Sequence, residues 1–182
     1  MKKRTSLLLS AILFSQFAIA EEFKLTSPQI TEGEPLANEQ VFSGFGCSGK
    51  NISPELHWRN APAATKSFAV TMYDPDAPTG SGWWHWSLYD IPAGINSLDK
   101  GASSDPSTLP EGSKQGRTDF GKSGYGGPCP PKGDKPHHYR ITVYALKSAT
   151  IPVKEDAPAA MLGFYLHQNL IEKAELTGIY SR

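Results

Sequence analysis

The sequence predicts a mainly β, antiparallel, sandwich-like fold with a helix near the C terminus, and three observations carry that prediction. Residues 67–74 alternate Phe68, Val70 and Met72 against Ala69, Thr71 and Tyr73. Residues 139–146 alternate Tyr139, Ile141, Val143 and Ala145 against Arg140, Thr142, Tyr144 and Leu146. A period of two is the signature of a strand, and apolar side chains on both faces suit strands covered on both sides. The third observation is punctuation: 15 prolines and 17 glycines break the chain as often as many short strands require.

Taken in order, the chain begins with a segment that reads as an export signal. Lys2-Lys3-Arg4 is basic, residues 7–17 are apolar apart from Ser10, Ser15 and Gln16, and Ala18-Ile19-Ala20 fits a small-x-small cleavage site. The apolar run falls short of the roughly 20 residues that span a bilayer. Cleavage after Ala20 leaves residues 21–182 as a single exported domain, expected in the periplasm or secreted. The leader holds three basic and no acidic residues, so 15 basic face 18 acidic side chains in the remainder. No basic run survives, which disfavours a nucleic-acid partner.

Further short strands are expected at 23–27, 56–58, 84–91 and 177–180. The helix is expected to be capped by Asp156 or Ala157, with Pro158 in its first turn and Leu162, Tyr165, Leu166 and Leu170 as its apolar stripe. Gly178 lies beyond its expected end. The stretch 101–133, rich in Pro, Gly and Ser, is long for a loop, and Phe120 and Tyr125 give it something to bury. Cys47 and Cys129 are the two cysteines. In an oxidising compartment they pair by default, closing an 82-residue loop worth roughly 4–5 kcal/mol. The rival reading leaves Cys129 as a free thiol.

Three segments combine a rigid Pro or Gly frame with ionisable side chains. They are Asp74-Pro75-Asp76-Ala77-Pro78, Trp83-Trp84-His85-Trp86, and Pro130-Pro131-Lys132-Gly133 followed by His137-His138-Tyr139. Rigid loops holding Asp and His beside large aromatics suit a small polar pocket. In an extended strand Trp84 and Trp86 share one face, and Trp83 and His85 the other, so His85 can enter a pocket rimmed by Trp83. His137 and His138 diverge if extended, so they cannot both chelate one ion. A zinc site would need Asp74, His85 and His137, unsupported by HExxH or Cys-x-x-Cys spacing. No cofactor is implied. Gly44-Phe45-Gly46-Cys47-Ser48-Gly49-Lys50 imitates a phosphate loop, but Pro54 would stop the helix such a loop needs. It reads as a glycine-rich turn carrying a cysteine.

Together these segments resemble the phosphatidylethanolamine-binding protein family, also called Raf-kinase-inhibitor-like proteins, and its exported bacterial members most closely. The matching stretches are Cys47 through Ser53-Pro54-Glu55-Leu56-His57-Trp58, Tyr73 to Pro78, Gly82 to Trp86, Asp119-Phe120-Gly121, Gly124 to Pro128 and Pro130 to Gly133. The resemblance implies a central antiparallel sheet packed on a smaller one, and a cavity for phosphate-like anions or phosphorylated headgroups. Carried over, the ligand-binding residues are Asp74, Asp76, His85, Pro131, His137 and Tyr139. The family usually has an arginine after the second pocket histidine, whereas this chain has His138. That leaves open the partner of the neighbouring loop acid and the choice between His137 and His138. The resemblance further implies a possible modulator of a kinase, protease or other protein partner, and a homodimer.

Three function classes follow. The leading expectation is a ligand-binding or regulatory module that is not an enzyme, since no activated nucleophile stands out. The second is a hydrolase or phosphoesterase using Asp74 with His85. The third is a secreted protein-interaction effector.

Overall fold

The computed structural model describes residues 21–154 and 157–182. The expected leader and the expected cap Asp156 lie outside the described residues. Among the described residues, ten strands and one α-helix form in the order β1 (Lys24–Thr26), β2 (Ser43–Gly44), β3 (Cys47–Ser48), β4 (Leu56–Arg59), β5 (Ser67–Asp74), β6 (Trp83–Pro92), β7 (Ser97–Leu98), β8 (Lys114–Gln115), β9 (His137–Leu146), α1 (Ala159–Asn169) and β10 (Leu170–Tyr180). A five-stranded sheet runs β10-β9-β5-β6-β8, a three-stranded sheet β1-β4-β7, and β2 and β3 form a separate hairpin. All pairings between named strands are antiparallel.

The period-two patterns sort the large sheet into two faces as expected. Phe68, Val70 and Met72 of β5 join Tyr139, Ile141, Val143 and Ala145 of β9 in the main core, with Leu25, Leu56 and Trp58 of the smaller sheet. On the opposite face Ala69, Tyr144 and Leu146 pack with Leu162 and Leu166 of α1. The sheet is therefore covered on one side by strands and on the other by the helix, which is why neither face could be polar.

Three local expectations change. The helix ends at Asn169, and Leu170, expected on its stripe, is already extended and paired with Leu146 of β9. The final strand accordingly begins at Leu170 rather than 177, and Gly178 sits inside it. Residues 170–176 are mostly helix formers, but a continuous ladder with β9 overrides that preference. Pro158 stands just before the helix as its cap residue and contributes no side-chain bond. The glycine-rich stretch 43–48 is the β2–β3 hairpin, as its reading as a turn required.

The third change concerns Trp84 and Trp86, on either side of His85. The β5–β6 register steps from Met72↔Trp86 to Tyr73↔Trp84, so β6 carries one extra residue there. That bulge breaks the expected alternation. Trp86 is fully buried in the main core, whereas Trp84 lies against Tyr73 and beside Gly163 of α1. Bulges re-aim side chains, and this one parts Trp84 from Trp86 while His85 and Trp83 both still line the cavity, as expected.

Candidate functional site: a histidine-walled cavity at the sheet end

The end of the large sheet where β5 finishes, β6 begins and β9 begins opens into a cavity of about 220 Å³. Asp74, His85, Pro131, His137 and Tyr139 line it, together with Trp83, Phe120 and Cys129. Five of the six residues carried over from the family pattern are thus brought together. Asp76 is the exception and lies outside the cavity wall.

Asp74 ends β5 and has both carboxylate oxygens occupied. Its Oδ1 accepts from the backbone amides of Asp76 (2.8 Å) and Ala77 (3.1 Å), closing the proline-framed turn. Its Oδ2 accepts from Nδ1 of His137 at 2.7 Å. Both side chains are almost fully buried. A carboxylate only accepts, so Nδ1 of His137 carries the hydrogen. Nε2 of the same ring lies 3.6 Å from Oδ2 of Asp134, so His137 stands between two carboxylates.

His138, one residue on, points the other way, as alternation in β9 demands. Its backbone N–H and its Nδ1 both bond Oδ2 of Asp76, each at 2.8 Å, and the pair is exposed. Burial acts to raise the Asp76 pKa, but these bonds from His138 outweigh it and leave the carboxyl below its ordinary value. The strand therefore settles which histidine faces the cavity: His137 does. The partner of the loop acid Asp76, left open by the sequence, is His138.

His85 is 3% exposed. Its Nδ1 donates to the carbonyl of Gly126 at 2.6 Å, and a carbonyl only accepts, so the tautomer is fixed. The Gly127 carbonyl is a second backbone partner of the ring, and with the hydrogen on Nδ1 the other nitrogen, Nε2, carries a lone pair. Burial pushes the His85 pKa down to about 4, against the opposing pull of the Gly126 carbonyl and the Asp74 charge. His85 is neutral at pH 7. Its ring packs edge-on against Phe120 (5.4 Å) and Tyr139 (5.1 Å). Asp74 pairs with His137 and not with His85, contrary to the acid–base couple expected for a hydrolase.

Tyr139 is 1% exposed, and its hydroxyl faces the Asp74 carboxylate without an ordinary-length hydrogen bond among the described residues. Burial, and then the negative charge of Asp74, hold its proton in place by raising its pKa. The amides of the glycine pair beside His85 are both occupied. Gly126 N–H donates to the His85 carbonyl and Gly127 N–H to Oδ1 of Asn51. Gly127 is needed for another reason: a Cβ there would sit 1.9 Å from the Gln40 carbonyl oxygen.

The remaining wall comes from the long loop and the β2–β3 hairpin. Cys47 and Cys129 form a disulfide that fastens the hairpin beside the cavity. Phe45 at the hairpin tip is 70% exposed and stacks toward Phe120 at 5.8 Å. Sequence reasoning missed Phe45 as a lining residue; a lone aromatic between two glycines was the available signal. Arg182 fixes the same corner, its guanidinium donating to the carbonyls of Pro130 and Phe45. Among the described residues no group of three His, Cys, Asp or Glu side chains is arranged to hold a metal ion. No helix among them is long and apolar enough to cross a membrane.

The family model described as phosphatidylethanolamine-binding protein matches residues 26–181. This chain belongs to the phosphatidylethanolamine-binding protein family. Within it, the chain is 53% identical over 176 residues to the UPF0098 protein YbcL of Escherichia coli K12, covering 96% of this chain and 95% of that protein. It is 49% identical over 158 residues to the UPF0098 protein YbhB of the same organism, covering 87% and 99%. The crystal structure of E. coli YbcL, titled a new member of the mammalian PEBP family, superimposes with a TM-score of 0.87 at 54% identity. That match covers 89% of this chain and 99% of the other. A Chlamydia trachomatis homologue of the family superimposes with a TM-score of 0.74 at 29% identity, covering 88% and 97%.

Proposed function

We propose that this protein is an exported ligand-binding or regulatory module, and not an enzyme, whose cavity holds a phosphate-like group or a phosphorylated headgroup. The observation that carries the reading is the unused bonding capacity of the wall. His85, whose Nδ1–H is taken by Gly126 so that Nε2 keeps a lone pair, and Tyr139, whose hydroxyl faces Asp74 without an ordinary-length hydrogen bond among the described residues, are both buried and line one cavity. Buried polar atoms left unpaired in a folded protein call for a ligand or water to complete them. A phosphoryl group presents several oxygens at the spacing of hydrogen-bond acceptors, and when protonated also a donor.

Export is supported by the basic start, apolar run and Ala18-Ile19-Ala20, and by a disulfide that an oxidising compartment maintains. The non-enzymatic reading is supported by what surrounds the wall. The sulfur of Cys129 is tied to Cys47, and Oγ1 of Thr79 donates to the Gly82 carbonyl. Modulation of a protein partner would use the same cavity to capture a phosphorylated side chain. Calorimetric titration at pH 6 with phosphoethanolamine, and with acetate as control, tests the reading. Saturable binding of phosphoethanolamine that is lost in His85→Ala is the expected result. Absence of binding by the folded protein would reduce the cavity to scaffold.

A further inference from the structure

We propose that the cavity selects phosphoryl monoesters in their singly protonated form, and discriminates against phosphodiesters and against anions that carry no proton. The inference rests on the phosphoryl-binding reading above and narrows it. It starts from charge. Not one Lys or Arg lines the cavity. Arg182 touches two lining residues only through their backbone carbonyls. The ionisable wall is Asp74, His85, His137 and Tyr139, with Asp134 behind His137. Even with His137 carrying an extra proton, the Asp74–His137–Asp134 cluster is negative by one charge.

Amides do not make up for the missing cations. Pro78, Pro130 and Pro131 have no N–H, and the N–H groups of Ala77 and Thr79 are occupied by Asp74 and by the Ala77 carbonyl. A phosphate dianion entering such a wall meets like charge and few donors. The open positions form a complementary couple instead. Tyr139 offers one O–H donor, and His85 offers one lone pair at Nε2 because Gly126 fixes its tautomer. A monoanionic phosphoryl group satisfies both, since its P–OH donates to Nε2 and one of its oxygens accepts from Tyr139. The groups facing His85 agree with an acceptor role. From β5 comes Asp74, from β9 come His137 and Tyr139, and from the long loop come Asp119 and the Gly126 and Gly127 carbonyls. None of these is a fixed cation, and burial keeps the ring neutral at pH 7.

Three small probes separate proton from charge. Monomethyl phosphate carries a titratable P–OH, dimethyl phosphate is a monoanion without one, and sulfate is a dianion without one. Each is titrated calorimetrically into the full chain from pH 5.5 to 8, in two buffers of different ionisation enthalpy to count protons. At pH 6 monomethyl phosphate is expected to bind at least about tenfold more tightly than either other probe, as a site loses when a buried acceptor is left unpaired. Above its second pKa, near 6 for phosphoryl monoesters, its affinity should fall about tenfold per pH unit with uptake of one proton. Tyr139→Phe should weaken it without unfolding the protein.

Dimethyl phosphate or sulfate binding as tightly as the monoester, or a monoester affinity flat from pH 6 to 8, would overturn the proton requirement and leave the phosphoryl site standing. If none of the three binds to folded protein, both readings fall together. Comparison of phosphoethanolamine with glycerophosphoethanolamine then separates the sources, a free monoester from an intact phospholipid headgroup, with the monoester expected to win.

Discussion

Asp74–His137 and Asp76–His138 are the same chemical pair built twice from one loop and one strand. The ring nitrogen to carboxylate distances are 2.7 and 2.8 Å. Their surroundings differ completely. The inner pair is buried to within a few per cent, while the side chains of the outer pair are about half exposed. Alternation along β9 causes the split, since neighbouring residues of a strand face opposite sides. The bond length alone therefore does not tell a buried pair from a surface one in energetic terms. Burial does, because a desolvated carboxylate must have every oxygen satisfied, and a solvated one need not.

The largest effect that would test this contrast is truncation of the inner acid. Asp74→Ala strands the Nδ1–H of His137 and two backbone amides at once, and should cost about 3–5 kcal/mol in urea unfolding. Equal losses at positions 74 and 76 would erase the distinction drawn here. Next comes the neutral histidine of the inner wall. The His85 pKa lies near 4 in the folded protein, below its ordinary 6.5. The unfolded chain therefore binds the proton more readily between those values. Stability from this residue is fully present above pH 6.5 and is lost as pH falls toward 4, by about 3 kcal/mol. Unfolding curves at pH 7 and pH 4 should show that excess loss in the wild type and lack it in His85→Gln.

Smaller still, Tyr139→Phe removes an unpaired buried hydroxyl and should stabilise the ligand-free protein by up to about 1 kcal/mol. A loss of stability would mean that the hydroxyl is bonded within the protein. Smallest is the outer pair: Asp76→Ala should cost a few tenths of a kcal/mol, roughly within the range of exposed ion pairs. Added salt should shrink even that difference, whereas the inner pair should hardly respond.

How far the sequence could be read follows the same divide between local pattern and tertiary context. The faces of β5 and β9 were legible because alternation is a local property, and so was the divergence of His137 from His138. The disulfide was legible from two cysteines and an export-like leader. The bulge at His85 was not, because it exists only in the register between β5 and β6. It put Trp84 and Trp86 on opposite faces, yet left His85 and Trp83 together on the cavity wall. Leu170 fitted a helical stripe and was taken by the ladder with β9. Asp76 looked equivalent to Asp74 in a five-residue block, and only the path of the turn separated them. The hairpin tip Phe45 reaches the cavity through the Cys47–Cys129 link and the Arg182 contacts, none of which leaves a periodic trace.

The most direct test of the central claim, that the inner wall and not the outer pair receives the ligand, is nitrogen-detected NMR of the histidine rings at pH 7. His85 should appear neutral, protonated on Nδ1, with an Nε2 resonance that moves on addition of phosphoethanolamine while the ring nitrogens of His138 stay in place. A ring protonated on Nε2 would contradict the account. So would a ligand that shifts His138 and leaves His85 unmoved.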